Sequence, residues 1–428
     1  MTQELMISNP SRLSVALRLV LFAMCIVSLG GFRLQLAGID PTQSFQGFTA
    51  SYAVYIADVA SIFLALVIAI LYSKEFFTSL NNAFPIFLLP ILAFSSSIIS
   101  ASPWVTMFES TKYLFAFIIP ISASILWYRK SKLQFSYELL KATLILSIII
   151  VIIYPKYGLH GSSDVFQSTH AGAWRGIFGH RTDFGYCCAA LSGLAFANVV
   201  YRKKISDVIV LIVSIFSLYK AGSGGASIVS ALSIIAIYFH YALKNSSVKI
   251  KMSLSMILFS IMIIFFASMF SADGFLYSIG EDSSFTGRVP LWSYIIDSSP
   301  LNYLYGLGYI SGFNSFVLPS LQMGNFNAPN AQGAYMEALI AFGIIGPLVI
   351  LLINASYTIR FFKSFFKKEN IVKFYIYSLP TSSILIFMVF TSTIVESYIL
   401  QSNKVLICIA VILNFEYKNR EKIIDNDK

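Results

Sequence analysis

The chain has 428 residues, of which 57% are hydrophobic and 12% are charged, and its formal net charge is +10 at pH 7. A soluble domain carries about 25% charged residues, so the composition excludes a water-soluble globular protein, and the low polarity excludes a disordered one. No dense basic patch of the kind that binds nucleic acid accompanies the charge. The sequence therefore predicts an all-α polytopic membrane protein.

About twelve segments are apolar over the roughly 20 residues that a transmembrane helix needs. They are predicted at 13–32, 52–72, 84–101, 111–128, 136–155, 183–201, 205–222, 225–243, 252–271, 333–355, 374–396 and 404–416. The first segment is long, uninterrupted and without a clean cleavage site, so we expect an uncleaved anchor and not a signal peptide.

The distribution of Lys and Arg predicts the orientation of the chain in the membrane. With the N-terminus in the cytoplasm, 22 of the 30 basic residues fall on the cytoplasmic side, in agreement with the positive-inside rule. Residues 1–428 then form a single membrane domain with both termini in the cytoplasm, including a polar tail at 417–428. Two long loops, 156–182 and 272–332, are exterior.

The sequence contains no pattern that predicts a cofactor or a metal. No G-x-x-x-x-G-K-[ST] motif and no cytoplasmic domain suggest the use of ATP. The four cysteines are Cys25, Cys187, Cys188 and Cys408. All four fall inside predicted helices without disulfide or zinc spacing, and we expect small buried apolar residues there.

The end of the first exterior loop concentrates polar and basic residues within fourteen positions. These are His170, Trp174, Arg175, His180, Arg181 and Asp183. Basic residues are scarce on this side of the membrane, so two neighbouring arginines need an explanation. Either they contact lipid headgroups beside an interfacial tryptophan, or they form an anion site, because a guanidinium group can bind phosphate bidentately. The loop glycines Gly172, Gly176 and Gly179 would allow close backbone approach to such a ligand. Asp183 is either a helix N-cap or a functional carboxylate.

A second basic position follows at the exterior turn between two predicted helices. Lys220 precedes the glycine-rich turn 221–225, which makes it a candidate second phosphate ligand. His240, near a cytoplasmic helix end, is expected to be structural.

The second exterior loop contains Arg288, the only basic residue between Lys251 and Arg360. We expect Arg288 to be functional. Residues 289–297 are predicted to form a short helix along the membrane surface, with Leu291, Trp292 and Ile295 on one side. Gly306 and Gly308 predict a tight turn.

Polar residues gather where this loop enters the next predicted helix. They are Asn327, Asn330, Gln332, Tyr335 and Glu337. Glu337 lies about one turn inside the helix, where a carboxylate is costly unless it is paired, so it is either a site residue or one half of a salt bridge. Gly343 and Gly346 are expected to serve close helix packing.

Three segments in this order resemble the O-antigen ligase/polymerase superfamily of bacterial membrane proteins. They are the Trp-Arg-Gly-Ile-Phe-Gly-His-Arg run at 174–181, Thr-Gly-Arg at 286–288 with its Gly-Leu-Gly turn, and the helix start around Tyr335-Met-Glu. The first is similar to exopolysaccharide repeat-unit polymerases. The resemblance implies a GT-C-like glycosyltransferase at the outer face of the bacterial cytoplasmic (inner) membrane.

The resemblance further implies a substrate and roles for individual residues. The substrate is a glycan on an undecaprenyl-diphosphate carrier in the bilayer, and the expected protein partners are a flippase and a chain-length regulator. Arg175 and Arg288 would hold the diphosphate and stabilise its leaving charge. Residues expected to bind substrate around them are Arg181, His170, Trp174, Asp183, Lys220, Asn330, Gln332 and Tyr335.

One departure from the family separates the two leading functions. Ligases of this family carry a histidine just before the final helix, and Gln332 stands at that place. A general base must then be Glu337, His180, His170 or Asp183. This favours a polymerase of lipid-linked repeats over the alternative, a ligase that transfers finished glycan. A transporter or flippase is the third possible function. The lack of an internal repeat in the sequence argues against it.

Overall fold

A computed structural model of the chain describes residues 19–20, 23, 25–26, 52–82, 84–127, 132–161, 170–243, 246–247, 249–250, 253, 288–298, 301–323, 331–366, 380–389, 391 and 400. Several predictions fall wholly or mostly outside this part of the chain. They are the spans 13–32, 252–271 and 404–416, the tail 417–428, the parts 272–287, 299–300 and 324–330 of the second exterior loop, Cys408, Asn327 and Asn330.

The described residues form helices joined by turns, with one isolated β-bridge. The helices are α1 (Tyr52–Leu71), α2 (Ser73–Asn82), α3 (Phe84–Ser95), α4 (Pro103–Trp127), α5 (Lys132–Ile153), α6 (Pro155–Gly158), α7 (Arg181–Arg202), α8 (Ile205–Ala221), α9 (Gly224–Leu243), α10 (Arg288–Ser298), α11 (Leu318–Met323), α12 (Ala334–Phe342), α13 (Ile345–Phe366) and α14 (Pro380–Val389).

Four of these helices are long and apolar enough to cross a membrane. They are the segment Ser136–Ile153 of α5, the whole of α7 and of α9, and the segment Ile345–Lys363 of α13. Shorter apolar helical segments occur at Val59–Leu71, Phe84–Ile98 and Pro380–Val389. The predicted class, a helical membrane protein, is confirmed at this level. The number of twelve spans and the GT-C-like arrangement stay predictions.

Helix α7 is the most buried of the four candidate spans, with 78% of its apolar window inside the protein. Small residues allow this close packing, because a Cβ added at Gly193 would lie 2.7 Å from Ile384 Cδ1 and one at Gly185 would lie 2.8 Å from Ser223 Cβ. Cys187 and Cys188 are fully buried on this helix. Neighbouring helices α5, α8 and α9 pack around it.

The hairpin of α7 and α8 places the two ends of α7 in different chemical surroundings. Its C-terminus carries Arg202, followed by the exposed Lys203 and Lys204, and Lys203 adopts a left-handed conformation with φ 55°. After α8, a second turn at Gly222, with φ 60°, leads into α9. The N-terminus of α7, the C-terminus of α8 and the N-terminus of α9 therefore lie at one end.

Helix α8 presents an apolar stripe away from the protein. Exposed side chains recur at a helical spacing of three or four residues, which keeps them on one face. They are Ile205, Ile209, Ile212, Phe216 and Tyr219. A face of this composition suits contact with lipid.

The predicted continuous span 333–355 is wrong, because the chain breaks between α12 and α13. Gly343 adopts φ 63° and ψ −153°, which ends α12, and Ile344 N donates to Tyr303 O at 2.8 Å. A Cβ at Gly343 would lie 2.4 Å from Leu304 O. Apolar periodicity runs through such a break, because the positive φ and the contact with residues 303–304 leave no trace in hydropathy. Gly346 packs tightly against Ala338.

Candidate functional site

The loop before α7 folds back on itself and docks on the end of α8. Leu159 and Trp174 form the isolated antiparallel bridge, and His160 N donates to Ala173 O at 2.9 Å. Trp174 N donates to Lys220 O at 3.0 Å, and its ring packs edge-on against Phe216. These bonds bring residues from three parts of the sequence to the N-terminal end of α7. We call His160, His170, Arg175, His180 and Arg181 the histidine–arginine cluster.

Arg175 is buried, with 3% of its surface exposed. Its Nε donates to Tyr157 O at 2.9 Å and its Nη2 to Lys156 O at 3.1 Å. These carbonyls belong to α6, so the guanidinium contacts backbone groups at the end of a helix, where a cation is favourable. The sequence predicts this arginine as a diphosphate ligand. The described hydrogen bonds give it a part in loop structure, and binding of phosphate stays a prediction.

The loop glycines Gly172, Gly176 and Gly179 differ in their backbone conformation and in the space around them. A Cβ at Gly176, where φ is 61°, would lie 2.3 Å from Ser147 Cβ, so this glycine serves packing against α5. Gly172 has φ 84° and open space around it, whereas Gly179 has open space and no such φ. The predicted role of Gly176 in approaching a ligand is therefore replaced by contact with a neighbouring helix.

Arg181 contacts two histidines of the cluster and the turn between α8 and α9. Its backbone N donates to His160 Nε2 at 3.1 Å, and its Nη2 bonds to His170 Nε2 at 2.8 Å. Its Nη1 donates to the carbonyl of Gly222 in the α8–α9 turn. One arginine thus ties the loop, the start of α7 and the start of α9 together.

His180 is the N-cap of α7. Its Nδ1 accepts a hydrogen bond from Thr182 N at 3.2 Å and also contacts Thr182 Oγ1. The N-cap alternative for Asp183 is therefore wrong, because Asp183 lies in the first helical turn. A half-buried carboxylate there still interacts favourably with the helix dipole. Sequence reasoning missed the cap because imidazole is an uncommon N-cap.

Burial and neighbouring positive charge lower the pKa values of His170 and His180. Burial, followed by the neighbouring His160 and Arg181 in that order, lowers the pKa of His180 to about 3. Burial, followed by the charge of Arg181, also lowers the pKa of His170. A general base works best with a pKa near the operating pH, so His180 is better suited to hydrogen bonding than to the base role that the sequence leaves open for it.

His160 was not among the residues that the sequence singled out. It is 4% exposed, and its ring lies edge-on to His180 with centroids 5.7 Å apart. The signal in the sequence was the equal spacing of His160, His170 and His180, ten residues apart. In the described part of the chain, no three His, Cys, Asp or Glu side chains are arranged to hold a metal ion.

Lys220 lies beside the cluster and faces outward. Its Nζ is 5.7 Å from the centroid of the Phe216 ring and 5.9 Å from that of Tyr219. The side chain is exposed at the end of the apolar stripe of α8. A cation over aromatic rings, at the end of this exposed apolar stripe, is stabilised by cation–π attraction.

The second predicted region is built around α10. Arg288 is its first residue and is 8% exposed, while Leu291 and Ile295 are buried against Phe313, Val317 and Leu321. Trp292 Nε1 donates to Ala331 O at 2.7 Å, and a Cβ at Gly333 would lie 2.7 Å from the indole ring. A helix is thus present where 289–297 predicts one. Its placement on the membrane surface stays a prediction.

The remaining candidates lie on α12 or just before it. Gln332 adopts φ 50°, Tyr335 Oη accepts a hydrogen bond from Asn354 Nδ2 at 3.0 Å, and Glu337 is half-buried in the first turn. Asn330, the other substrate-binding candidate here, lies outside the described residues.

The segment 301–311 joins this region to α3 and α4. Ser100, Thr106 and Ser311 hydroxyls bond mutually at 2.7 Å, and the Tyr309 ring stacks between Tyr113 and Phe342. Gly306 and Gly308 have φ 77° and 100°. A Cβ at Gly306 would lie 2.5 Å from the backbone of Ala341. The tight turn predicted there is present.

Helix α12 packs against α13 and α3, and against residues 313–317 beside α10. Ala334 and Ala338 belong to the large apolar core that includes Ile177 and Phe184, whereas Ile340 belongs to the smaller cluster around α10. Arg175 and Arg288 nevertheless lie on different elements with different described neighbours. The convergence of the two guanidinium groups on one ligand stays a prediction.

Comparison with known proteins adds no family to this picture. No family model matches the chain, and no curated protein matches it. The resemblance to the ligase/polymerase superfamily therefore rests on the residues named above, and the geometry of the site carries the functional argument.

Proposed function

We propose that the protein is a membrane glycosyltransferase that polymerises undecaprenyl-diphosphate-linked oligosaccharide repeats at the outer face of the bacterial cytoplasmic membrane. The observation that carries the proposal is the histidine–arginine cluster. Two arginines and three histidines meet at the N-terminus of α7, where the helix dipole adds positive potential. Such an end of a membrane helix suits a ligand with concentrated negative charge.

The reaction follows from what a lipid diphosphate requires. The bond between the anomeric carbon and the diphosphate oxygen breaks, and that oxygen leaves with the electron pair. An acceptor sugar hydroxyl forms the new glycosidic bond and gives its proton to a base. Donors arranged in advance around the leaving oxygen stabilise its charge. Arg181 and Arg288 are assigned this role, with Lys220 at the entrance, and no ATP is needed because the diphosphate bond stores the energy.

Glu337 is the proposed base. His180 is bound at Nδ1 by Thr182 and its pKa is lowered by burial and by neighbouring charge. Asp183 lies in the first turn of α7, beside the arginines whose charge would stabilise the diphosphate. Glu337 is half-buried in the first turn of α12, a helix that packs beside the region built around α10. A carboxylate in that position suits an acceptor hydroxyl opposite the diphosphate.

The proposal includes an arrangement in the membrane. The chain has about twelve spans in a GT-C-like fold, with the loops 156–182 and 272–332 outside. The basic residues Arg202, Lys203 and Lys204 then lie at the cytoplasmic end of α7, opposite the cluster. The glycan donor reaches the cluster from the outer leaflet.

Purified protein in liposomes, supplied with a synthetic lipid-linked repeat, tests the proposal. We expect the wild type to extend the repeat, and Arg288→Gln and Arg181→Gln to lower kcat about 100-fold or more, since each removes one donor from the leaving group. Lys204→Ala, at the far end of α8, is the matched control and should retain full activity. Wild-type chain length in both arginine variants contradicts the assignment, and absence of extension by the wild type contradicts the proposed function.

A further inference from the structure

The first turn of α7 is capped by two imidazoles. Backbone N–H groups at the start of a helix have no partner within the helix, and here Arg181 N donates to His160 Nε2 while Thr182 N donates to His180 Nδ1. A ring nitrogen that accepts a hydrogen bond carries no proton. Each ring is therefore neutral, with its proton on the other nitrogen.

His160 reaches this cap from a distant part of the chain. Its backbone is held by Ala173 and Gly172, with His160 N to Ala173 O at 2.9 Å and Gly172 N to His160 O at 2.8 Å. Burial of the ring leaves 4% of the residue exposed. The backbone of His160 is therefore held by residues 172–173, and its ring is held by Arg181 N. The second contact fixes the backbone position from which the Arg181 side chain extends.

The chemistry of the cap matters because of what surrounds it. Serine, threonine, asparagine and aspartate are the usual N-caps. A carboxylate at this place would satisfy the N–H group, but it would also add a negative charge beside Arg181, in addition to that of Asp183 in the first turn. An imidazole satisfies the same N–H group without adding negative charge.

We infer that His160 is a positioning residue, which holds Arg181 by an uncharged acceptor and so adds no negative charge at this end of α7, where the anionic diphosphate would bind. The inference rests on the proposed function for the identity of the anion. It adds a residue that acts through Arg181 and does not itself touch the substrate. A purely structural cap, by contrast, would work equally well with a charged acceptor.

Three substitutions of His160 separate these two roles. His160→Gln retains a neutral acceptor and should keep the KM for the lipid-linked donor within about twofold of the wild type. His160→Glu retains an acceptor but adds a negative charge next to Arg181, and should raise that KM about tenfold or more with little loss of thermal stability. His160→Leu removes the acceptor and should lower thermal stability. A tolerated glutamate with unchanged KM, or a folded glutamine variant as defective as the leucine variant, overturns the inference.

Two further measurements do not depend on turnover. The chain has four histidines, so nitrogen NMR of histidine-labelled protein resolves their rings, and His160→Gln identifies one of them. We expect Nε2 of His160 to be unprotonated at pH 7. Binding of inorganic pyrophosphate should weaken in the order wild type, glutamine, glutamate. If the wild type fails to extend lipid-linked repeats while both results hold, the proposed function fails and the role of His160 stands. A protonated Nε2, or equal pyrophosphate binding in all three proteins, contradicts the role.

Discussion

His180 makes the stability of the protein depend on pH at the scale of a single residue. Its pKa in the folded state is lowered to about 3 by burial, followed by His160 and Arg181, whereas an unfolded histidine titrates near pH 6.5. Below about pH 6.5 the unfolded chain binds the proton and the folded chain does not. The cap therefore contributes its full stability above that pH, and the contribution is lost as the pH falls towards 3.

We predict that the His180→Asn variant loses less stability than the wild type as the pH falls from 7 to 5. Asparagine is a good N-cap that does not titrate, so the variant should gain on the wild type by up to about 2 kcal/mol between pH 7 and pH 5. The measurement is thermal unfolding in detergent at several pH values. The carboxylates of the chain are common to both proteins and cancel in the difference. Parallel curves for the two proteins contradict the prediction.

At the scale of the element, the turn between α7 and α8 contains avoidable strain. Lys203 N bonds to Asn198 O and Val199 O while the residue holds φ 55°, a conformation that glycine adopts without a steric penalty from Cβ. We predict that Lys203→Gly raises stability by about 1 kcal/mol. Lys203→Ala removes the same charge but keeps the Cβ, and should gain nothing. Equal unfolding temperatures of the two variants would contradict the prediction that backbone strain at Lys203 lowers the stability.

The helices themselves could be predicted better than their ends. Hydropathy places α5, α7, α8 and α9 within a few residues, because a run of apolar residues is a local property. The break at Gly343 could not be predicted, since it depends on the approach of residues 303–304 from elsewhere in the chain. The contact of His160 with Arg181 N could not be predicted either, since it joins residues that are 21 positions apart.

At the scale of the whole molecule, the orientation in the membrane is open to direct measurement. Lys204 and Lys220 are exposed at opposite ends of α8, whose 17 residues span about 25 Å. We predict that an impermeant maleimide labels Lys220→Cys in intact spheroplasts and labels Lys204→Cys only after lysis. The background chain carries Cys408→Ser, and Cys25, Cys187 and Cys188 are buried. Labelling of Lys204→Cys in intact spheroplasts would contradict the predicted topology and indicate the opposite orientation.

The sequence by itself determined the class of this protein. Its apolar segments, low charge and asymmetric basic residues predict a helical membrane protein, because these properties need no knowledge of long-range contacts. It also indicated that Arg175, Arg181 and Lys220 lie near each other. Only the tertiary structure decided their partners. Arg175 meets the carbonyls of α6, and Arg181 meets His160, His170 and the α8–α9 turn. Each buried donor takes the acceptor that folding brings within reach, and that acceptor can come from a distant part of the chain.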